Sequence, residues 1–410
     1  MHCYAARMGT RQNSGVDQDS DGQPGGAPAP GRSATDHTPD TPTGQSATTG
    51  QARTTGQART TGQATTGQPA TTDQTTTTRP RRPDPTQDKY RDLCSVLTDE
   101  PLPGTAKRAD LVLALEYAGP WSHDILDGDT LDPELSRRIR SFAKSHRAGI
   151  HFIRKPGRAG RRRTGSTLFI AHARAGVLER LTLDGPEDLP DLELGGPGET
   201  PGAERVTAPV MLVCTHGKRD RCCAVFGRPV AAALEHAFPL DQVWESSHTK
   251  GHRLAPSMIL LPSNHSFGRL TAPQAATVLG QATRGELPVL GNRGRGTLDA
   301  AGQVAELAVA QAVVDAGRTV GLTGLDVREP SADGDGPGAG PGGPGEGTTA
   351  PSATRASDPG EAEWRVVTET STGRTWEVGM TRTEVGPVVS SCGGTPKTTT
   401  AWTATIVREL

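Results

Sequence analysis

The stretch VCTHGKRDRCCAVFG, residues 213–227, holds three of the chain's six cysteines, one histidine, and four basic and acidic side chains. Cysteine thiolates and imidazole nitrogens are the protein donors preferred by zinc and iron–sulfur groups, and a thiolate by itself is a nucleophile. Metal binding, thiol redox chemistry and capture of a phosphate are therefore the chemistries to weigh. A phosphate-handling cysteine loop needs an arginine after five intervening residues, so that loop N–H groups and the guanidinium surround one anion. Arg219 follows Cys214 after four residues and Arg221 after six, so the spacing misses on both sides. Thiol oxidoreductases favour C-x-x-C, whereas Cys214 is followed by the adjacent pair Cys222 and Cys223. The CTHG segment matches one half of a Rieske centre, but no second box of that kind exists in the chain.

A second segment, WESSHTKGHRLAP, supplies the missing donors. His248 and His252 have three residues between them, a spacing that lets both imidazoles converge on one site from a short turn, and Gly251 leaves room for close backbone approach. The 24 residues between Cys223 and His248 are enough for one helix and one strand, a path that returns the second strand's end beside the first. Cys214, Cys223, His248 and His252 then form a donor set suited to either zinc or a [2Fe–2S] cluster. Zinc fingers and ribbons keep their cysteines two to four residues apart, so the eight-residue gap between Cys214 and Cys223 favours the larger group without excluding zinc.

The elements that would position these residues are readable from periodicity. ADLVLALEYAG reads as a buried strand closed by Gly119 and Pro120, and DPELSRRIRSFAKSHRAG as a helix capped by Asp132, with Leu135, Ile139 and Phe142 on one face. Strands follow at IHFIRK, STLFIAHA and GVLERLTLD. The order recurs: APVMLVCTH is a strand, RPVAAALEHAF a helix with Pro229 in its first turn, DQVWESSH a strand, and SMILLPS with SFGRL a hairpin. TAPQAATVLGQATRG, capped by Thr271, and GTLDAAGQVAELAVAQAVVDAG complete the helices. The second unit has the order of a thioredoxin-like half-sheet, with the cysteine loop between its first strand and first helix. WRVVTETSTGRTWEVGM, turning at Thr372 and Gly373, and TAWTATIV read as a small β addition.

Composition limits how much of the chain can fold. It contains 51 glycines and 33 prolines in 410 residues and is only 3% aromatic, with 33% hydrophobic residues concentrated in part of the length. Residues 1–88, with tandem TTGQAR-like repeats, read as a disordered low-complexity arm, and 328–363 as a flexible Gly/Pro-rich linker. The remainder divides into an N-terminal α/β unit (89–204), a thioredoxin-like domain (205–327) and a small C-terminal β segment (364–410). A net charge of −2 gives no field for nucleic acid, and no apolar run is long enough to cross a membrane. The basic run at Arg154–Gly165 reads as a solvated loop or a docking patch for an acidic partner. With no secretory signal at the N-terminus, a cytoplasmic location is expected, where clustered cysteines serve metal or redox chemistry. Cys94 and Cys392 read as small buried apolar residues, Cys3 as an exposed thiol in the arm, and Trp121 and Trp244 as core residues, the latter near enough to His248 to shield it.

Taken together, Cys214-Thr-His216-Gly-Lys-Arg219-Asp220-Arg-Cys222-Cys223, then HTKGH and LAPSMILLP, closely resemble the sucrase/ferredoxin-like family. CSVLTDEPLPGTA from Cys94 and GPWSHDIL from Gly119 extend the resemblance over about residues 91–320. The family pattern is C-x-H-x-x-R-D-x-x-C followed by H-x-G-G-H, and the resemblance implies a thioredoxin-like [2Fe–2S] ferredoxin domain whose ligands fall on Cys214, Cys223, His248 and His252. It implies an electron carrier or redox sensor working with a redox partner protein, rather than an enzyme with its own substrate. A structural zinc domain and a thiol oxidoreductase acting through Cys214 are the alternatives. His216, Arg219, Asp220 and Lys250 are expected to surround the ligands, Arg219 and Asp220 by pairing or by pinning the loop. Lys250 stands where the family usually has glycine, and the extra Cys222 competes with Cys223 for the ligand position.

Overall fold

Asp132 begins the first long helix as its sequence suggests, its carboxylate accepting hydrogen bonds from the N–H groups of Glu134 and Leu135. The structure, a computed structural model, describes residues 90–157, 166–239, 241–330 and 362–410. Cys3, the residue 1–88 arm, most of the basic run and most of the Gly/Pro-rich segment lie outside the described residues.

After a short helix α1 (Cys94–Leu97), the first unit runs β1 (Leu111–Glu116), α2 (Pro133–Ser145), β2 (Ala148–Arg154), β3 (Ser166–His172), β4 (Val177–Leu183) and β5 (Glu204–Val206). The second runs β6 (Val210–Cys214), α3 (Arg228–Ala237), β7 (Val243–Ser246), β8 (Ser257–Leu261), β9 (His265–Gly268), α4 (Ala272–Thr283), β10 (Asn292–Arg295) and α5 (Ala300–Asp315). The chain ends with β11 (Leu325–Arg328), β12 (Glu363–Glu369), β13 (Thr375–Val388) and β14 (Lys397–Glu409). The fold is mixed α/β, with one large mixed sheet and a second small one.

The large sheet has the order β10-β9-β8-β6-β7-β2-β1-β3-β4-β5. Its two halves repeat one connectivity: a parallel β-α-β pair, β1 with β2 and β6 with β7, followed by an antiparallel hairpin beside the first strand. The halves join edge to edge through β2 and β7, where Ile153 faces Ser246 and Arg154 faces Glu245. A buried ion pair of 2.9 Å between Arg154 Nε and Glu245 Oε2 fastens that seam. Glu245 also accepts from Thr215 Oγ1 at 3.0 Å, tying the seam to the residue after Cys214.

Alternation along the strands divides the core. Leu113, Leu115 and Ile170 meet Ile139 and Phe142 of α2 on one face. Met211, Val213, Met258 and Leu260 meet α3 and α4. The opposite residues, including Val112, Ala114, Leu212 and Trp244, form a cluster shared by both halves. The small sheet, β11-β12-β13-β14, packs Val367, Trp376 and Val378 on α5. No helix among the described residues is long and apolar enough to cross a membrane. The sequence reading omitted α1, β5, β10 and β11. All four elements have only three or four residues, too few to show a period.

Candidate metal centre

Because β6 and β7 are parallel neighbours, both deliver their C-terminal ends to the same edge of the sheet. Cys214, the last residue of β6, lies opposite Ser246, the last of β7, and the Thr215 N–H donates to the Ser246 carbonyl at 3.0 Å. From Cys214 the chain turns through residues 215–220 and enters a helix at Asp220. The Asp220 carboxylate accepts from the Cys222 N–H at 2.9 Å, and its carbonyl accepts from the Cys223 N–H at 3.2 Å. A π-helical turn, Cys223–Gly227, widens the backbone before α3. Gly227 is required there: a Cβ at this position would lie 2.0 Å from the Cys214 carbonyl oxygen.

This reversal places the fully buried thiols of Cys214 and Cys223 close enough for each to shift the other's acidity. Cys214 is the more acidic of the pair, because the Cys223 thiol, the His248 ring and the His216 N–H all donate to it, outweighing burial. The same contact, with burial added, pushes the Cys223 thiol up. His248 and His252 leave β7 on a tight turn with their rings 5.0 Å apart. Gly251 gives that turn its clearance, since a Cβ there would lie 2.3 Å from Arg293 Nη1 and 2.7 Å from Ser257 Oγ. The fully buried Arg293 braces the turn, donating to Ser257 Oγ at 3.1 Å and to the Lys250 carbonyl at 3.1 Å.

Cys214, Cys223, His248 and His252 thus lie near one another at one edge of the sheet. His252 Nε2 meets the Ser390 carbonyl, an acceptor, so Nε2 carries the proton and Nδ1 the lone pair. Nδ1 of His252 and Nδ1 of His248 are buried with no hydrogen-bond partner among the described residues. An unpaired buried acceptor costs free energy unless something binds it.

The surrounding residues fall differently from one another. His216 Nε2 donates to the Ser122 carbonyl at 2.6 Å and its ring stands edge-on to Trp121. Asp220 accepts from the Cys222 N–H, whereas Arg219 donates to His123 Nδ1 at 3.0 Å and not to Asp220. Lys250 takes the left-handed conformation, φ 58°, a backbone state that glycine adopts more readily than lysine. Lys107, His123, Arg219, Lys250 and His248 line a cavity of about 190 Å³, making the approach to His248 cationic. Trp244 does not shield the site: it packs against Phe169 in the shared cluster, because alternation along β7 points it away.

A fifth side chain, missed in the sequence, faces the same region. His151 on β2 is buried, its Nδ1 lacks a partner among the described residues, and burial followed by the nearby Lys107 charge pushes its imidazole from 6.5 down to about 4. The unfolded chain therefore binds this proton first, and stability rises with pH across that interval. The contribution is complete above about pH 6.5, is lost as pH falls through about 4, and amounts to roughly 3 kcal/mol. His151→Leu should flatten the urea midpoint between those pH values relative to wild type. Parallel curves for the two proteins would contradict this assignment.

Cys94 is buried in a small apolar cluster, as expected, with Cys392 half-buried against it. What the sequence did not show is their grouping: with Asp220 and Cys222 they offer ligand atoms that all lie within 4.8 Å of one another, a group that could hold a metal ion. Cys94 comes from α1 and Cys392 from the segment between β13 and β14, 298 positions apart, so no local spacing could have revealed them. Cys222 belongs to this group and not to the Cys214 pair: its sulfur lies 3.5 Å from Cys94 Sγ and 3.3 Å from Cys392 Sγ.

The family model of the sucrase/ferredoxin-like proteins matches residues 102–296. No curated protein and no solved structure matches the chain.

Proposed function

Residues 102–296 belong to the sucrase/ferredoxin-like family, and from that premise we propose that the chain binds a [2Fe–2S] cluster through Cys214, Cys223, His248 and His252 and serves as a one-electron carrier. The observation that supports this most is the pairing of two buried thiols that perturb one another with two half-buried imidazoles whose buried Nδ1 atoms have no partner among the described residues. When bound, such a cluster supplies reversible one-electron chemistry, at a higher potential with two imidazoles than with four thiolates.

The chain's own residues set the conditions. The His216 N–H donates to Cys214 sulfur, stabilising its thiolate. Ser390 accepts from His252 Nε2, fixing the tautomer, and Asp220 Oδ2 lies 3.9 Å from the same nitrogen, favouring retention of that proton. Burial acts the other way and holds the His252 imidazole below its ordinary value. The balance at Nε2–H makes the electron affinity of the site depend on pH. Lys107, Arg219 and Lys250 around the cavity beside His248 suit an acidic surface on a redox partner protein.

Anaerobic purification with iron and acid-labile sulfide analysis tests the reading. The expected outcome is a coloured protein with about two irons and two sulfides per chain. Colourless protein with zinc bound through Cys214 would overturn it.

A further inference from the structure

We propose that Cys94, Asp220, Cys222 and Cys392 form a second metal centre, a tetrahedral site for a single zinc ion. The three sulfurs lie 3.5 Å (Cys94 to Cys222), 3.3 Å (Cys222 to Cys392) and 3.8 Å (Cys392 to Cys94) apart. Asp220 Oδ1 is 3.6 Å from Cys94 Sγ and 3.1 Å from Cys392 Sγ. A tetrahedral zinc with ordinary Zn–S and Zn–O bonds has S–S edges of about 3.8 Å and S–O edges of about 3.5 Å. The observed edges lie within about 0.5 Å of those values before any ion draws the ligands into place. They do not describe a disulfide, whose sulfurs stand about 2.05 Å apart, and all three cysteines are free thiols. The mutual closeness of all four donors suits one ion rather than a two-iron core, and a thiolate-rich tetrahedron favours zinc.

The neighbours of these donors are arranged as the outer partners of a thiolate site. Ser95 N–H and Ser95 Oγ both donate to Cys222 sulfur, at 3.5 Å and 3.2 Å. Asp220 is held on both oxygens, Oδ1 by the Cys222 N–H and Oδ2 by the Cys392 N–H and Ser391 Oγ, each at 2.9 Å. Hydrogen bonds of this kind orient ligands and stabilise their charge. Binding displaces the thiol protons to solvent as zinc–sulfur bonds form, with no oxidation. The ligands come from α1, the turn before α3 and the β13–β14 connection, so the ion fastens three segments that the family match at 102–296 only partly covers. Asp220 also approaches His252, which places the two centres side by side.

The site stands independently of the iron proposal, and metal analysis separates them. Full-length protein produced with zinc and iron supplied should carry about one zinc per chain. Cys392→Ser, at a half-buried position, should lower zinc at least about tenfold while iron stays, whereas Cys214→Ser should remove iron and leave zinc. Cobalt added to chelator-treated wild-type chain should give the visible absorption of a tetrahedral thiolate complex, and Cys94→Ser should weaken it. The cobalt readout on wild type covers the case of a variant that fails to fold. Zinc absent from wild type, zinc unaffected by Cys392→Ser, or cobalt bound without tetrahedral absorption would each overturn the proposal. Zinc present with iron absent would leave this site standing and remove the carrier reading.

Discussion

Changing Cys214 to serine is expected to empty the β6–β7 centre, with iron and labile sulfide falling at least about tenfold and the visible colour lost. The sulfur sits at a strand end, fully buried, and Cys223, His248 and the His216 N–H hold its thiol well below the ordinary thiol range against the effect of burial. A serine hydroxyl there is shorter, harder and neutral at pH 7, so it supplies neither the charge nor the softness that iron–sulfur ligation requires. Cys223→Ser should have the same effect. Cys222→Ser should not, although it is the adjacent residue: successive helical positions point about 100° apart, and Cys222 faces Cys94 and Cys392. Iron analysis of the three variants checks the assignment; loss of iron in Cys222→Ser with retention in Cys223→Ser would reverse it.

Gly227→Ala should be among the most damaging substitutions of a small residue by another. The added methyl would sit 2.0 Å from the Cys214 carbonyl oxygen, a backbone atom that β6 holds in the sheet. Either the π turn or the strand end must move, and a clash of that kind costs about 3 kcal/mol or more. For a folded unit of this size that is a fall in Tm of roughly 6–12 °C. The same displacement separates Cys214 from Cys223, so iron should be lost in parallel. Gly280→Ala on α4 is the contrast: its Cβ would meet only Arg284 Nη1 at 3.8 Å, and helix propensity predicts a gain of up to about 1 kcal/mol. Thermal melts of both variants test the argument. Equal effects would show that the close approach at Gly227 does not constrain the site.

The elements with strong periods were legible before the structure. α2 carried its Asp132 cap, and β6, α3 and β7 carried the alternation that brings Cys214 and His248 to one edge. The repeated order of the two units was readable for the same reason. Their edge-to-edge joining was not, because the β2–β7 ladder rests on two residue pairs and a buried Arg154–Glu245 ion pair, neither of which leaves a pattern in the sequence. The grouping of Cys94 and Cys392 with Asp220 and Cys222 was hidden on similar grounds. A cysteine on a four-residue helix and another in a hairpin connection look like apolar filler until the chain folds them against Asp220. Trp244 is the core residue its sequence suggests, but it does not shield His248, because sequence proximity says nothing about the face of β7 it occupies.

The ligand set itself is tested most directly by pulsed EPR on dithionite-reduced protein carrying 15N-labelled histidine. The account predicts nitrogen couplings from two imidazoles at a [2Fe–2S] signal, one lost in His248→Cys and the other in His252→Cys, with the potential falling by a few hundred millivolts toward the all-cysteine range. A cluster signal that shows no histidine nitrogen, or that both substitutions leave unchanged, would contradict it.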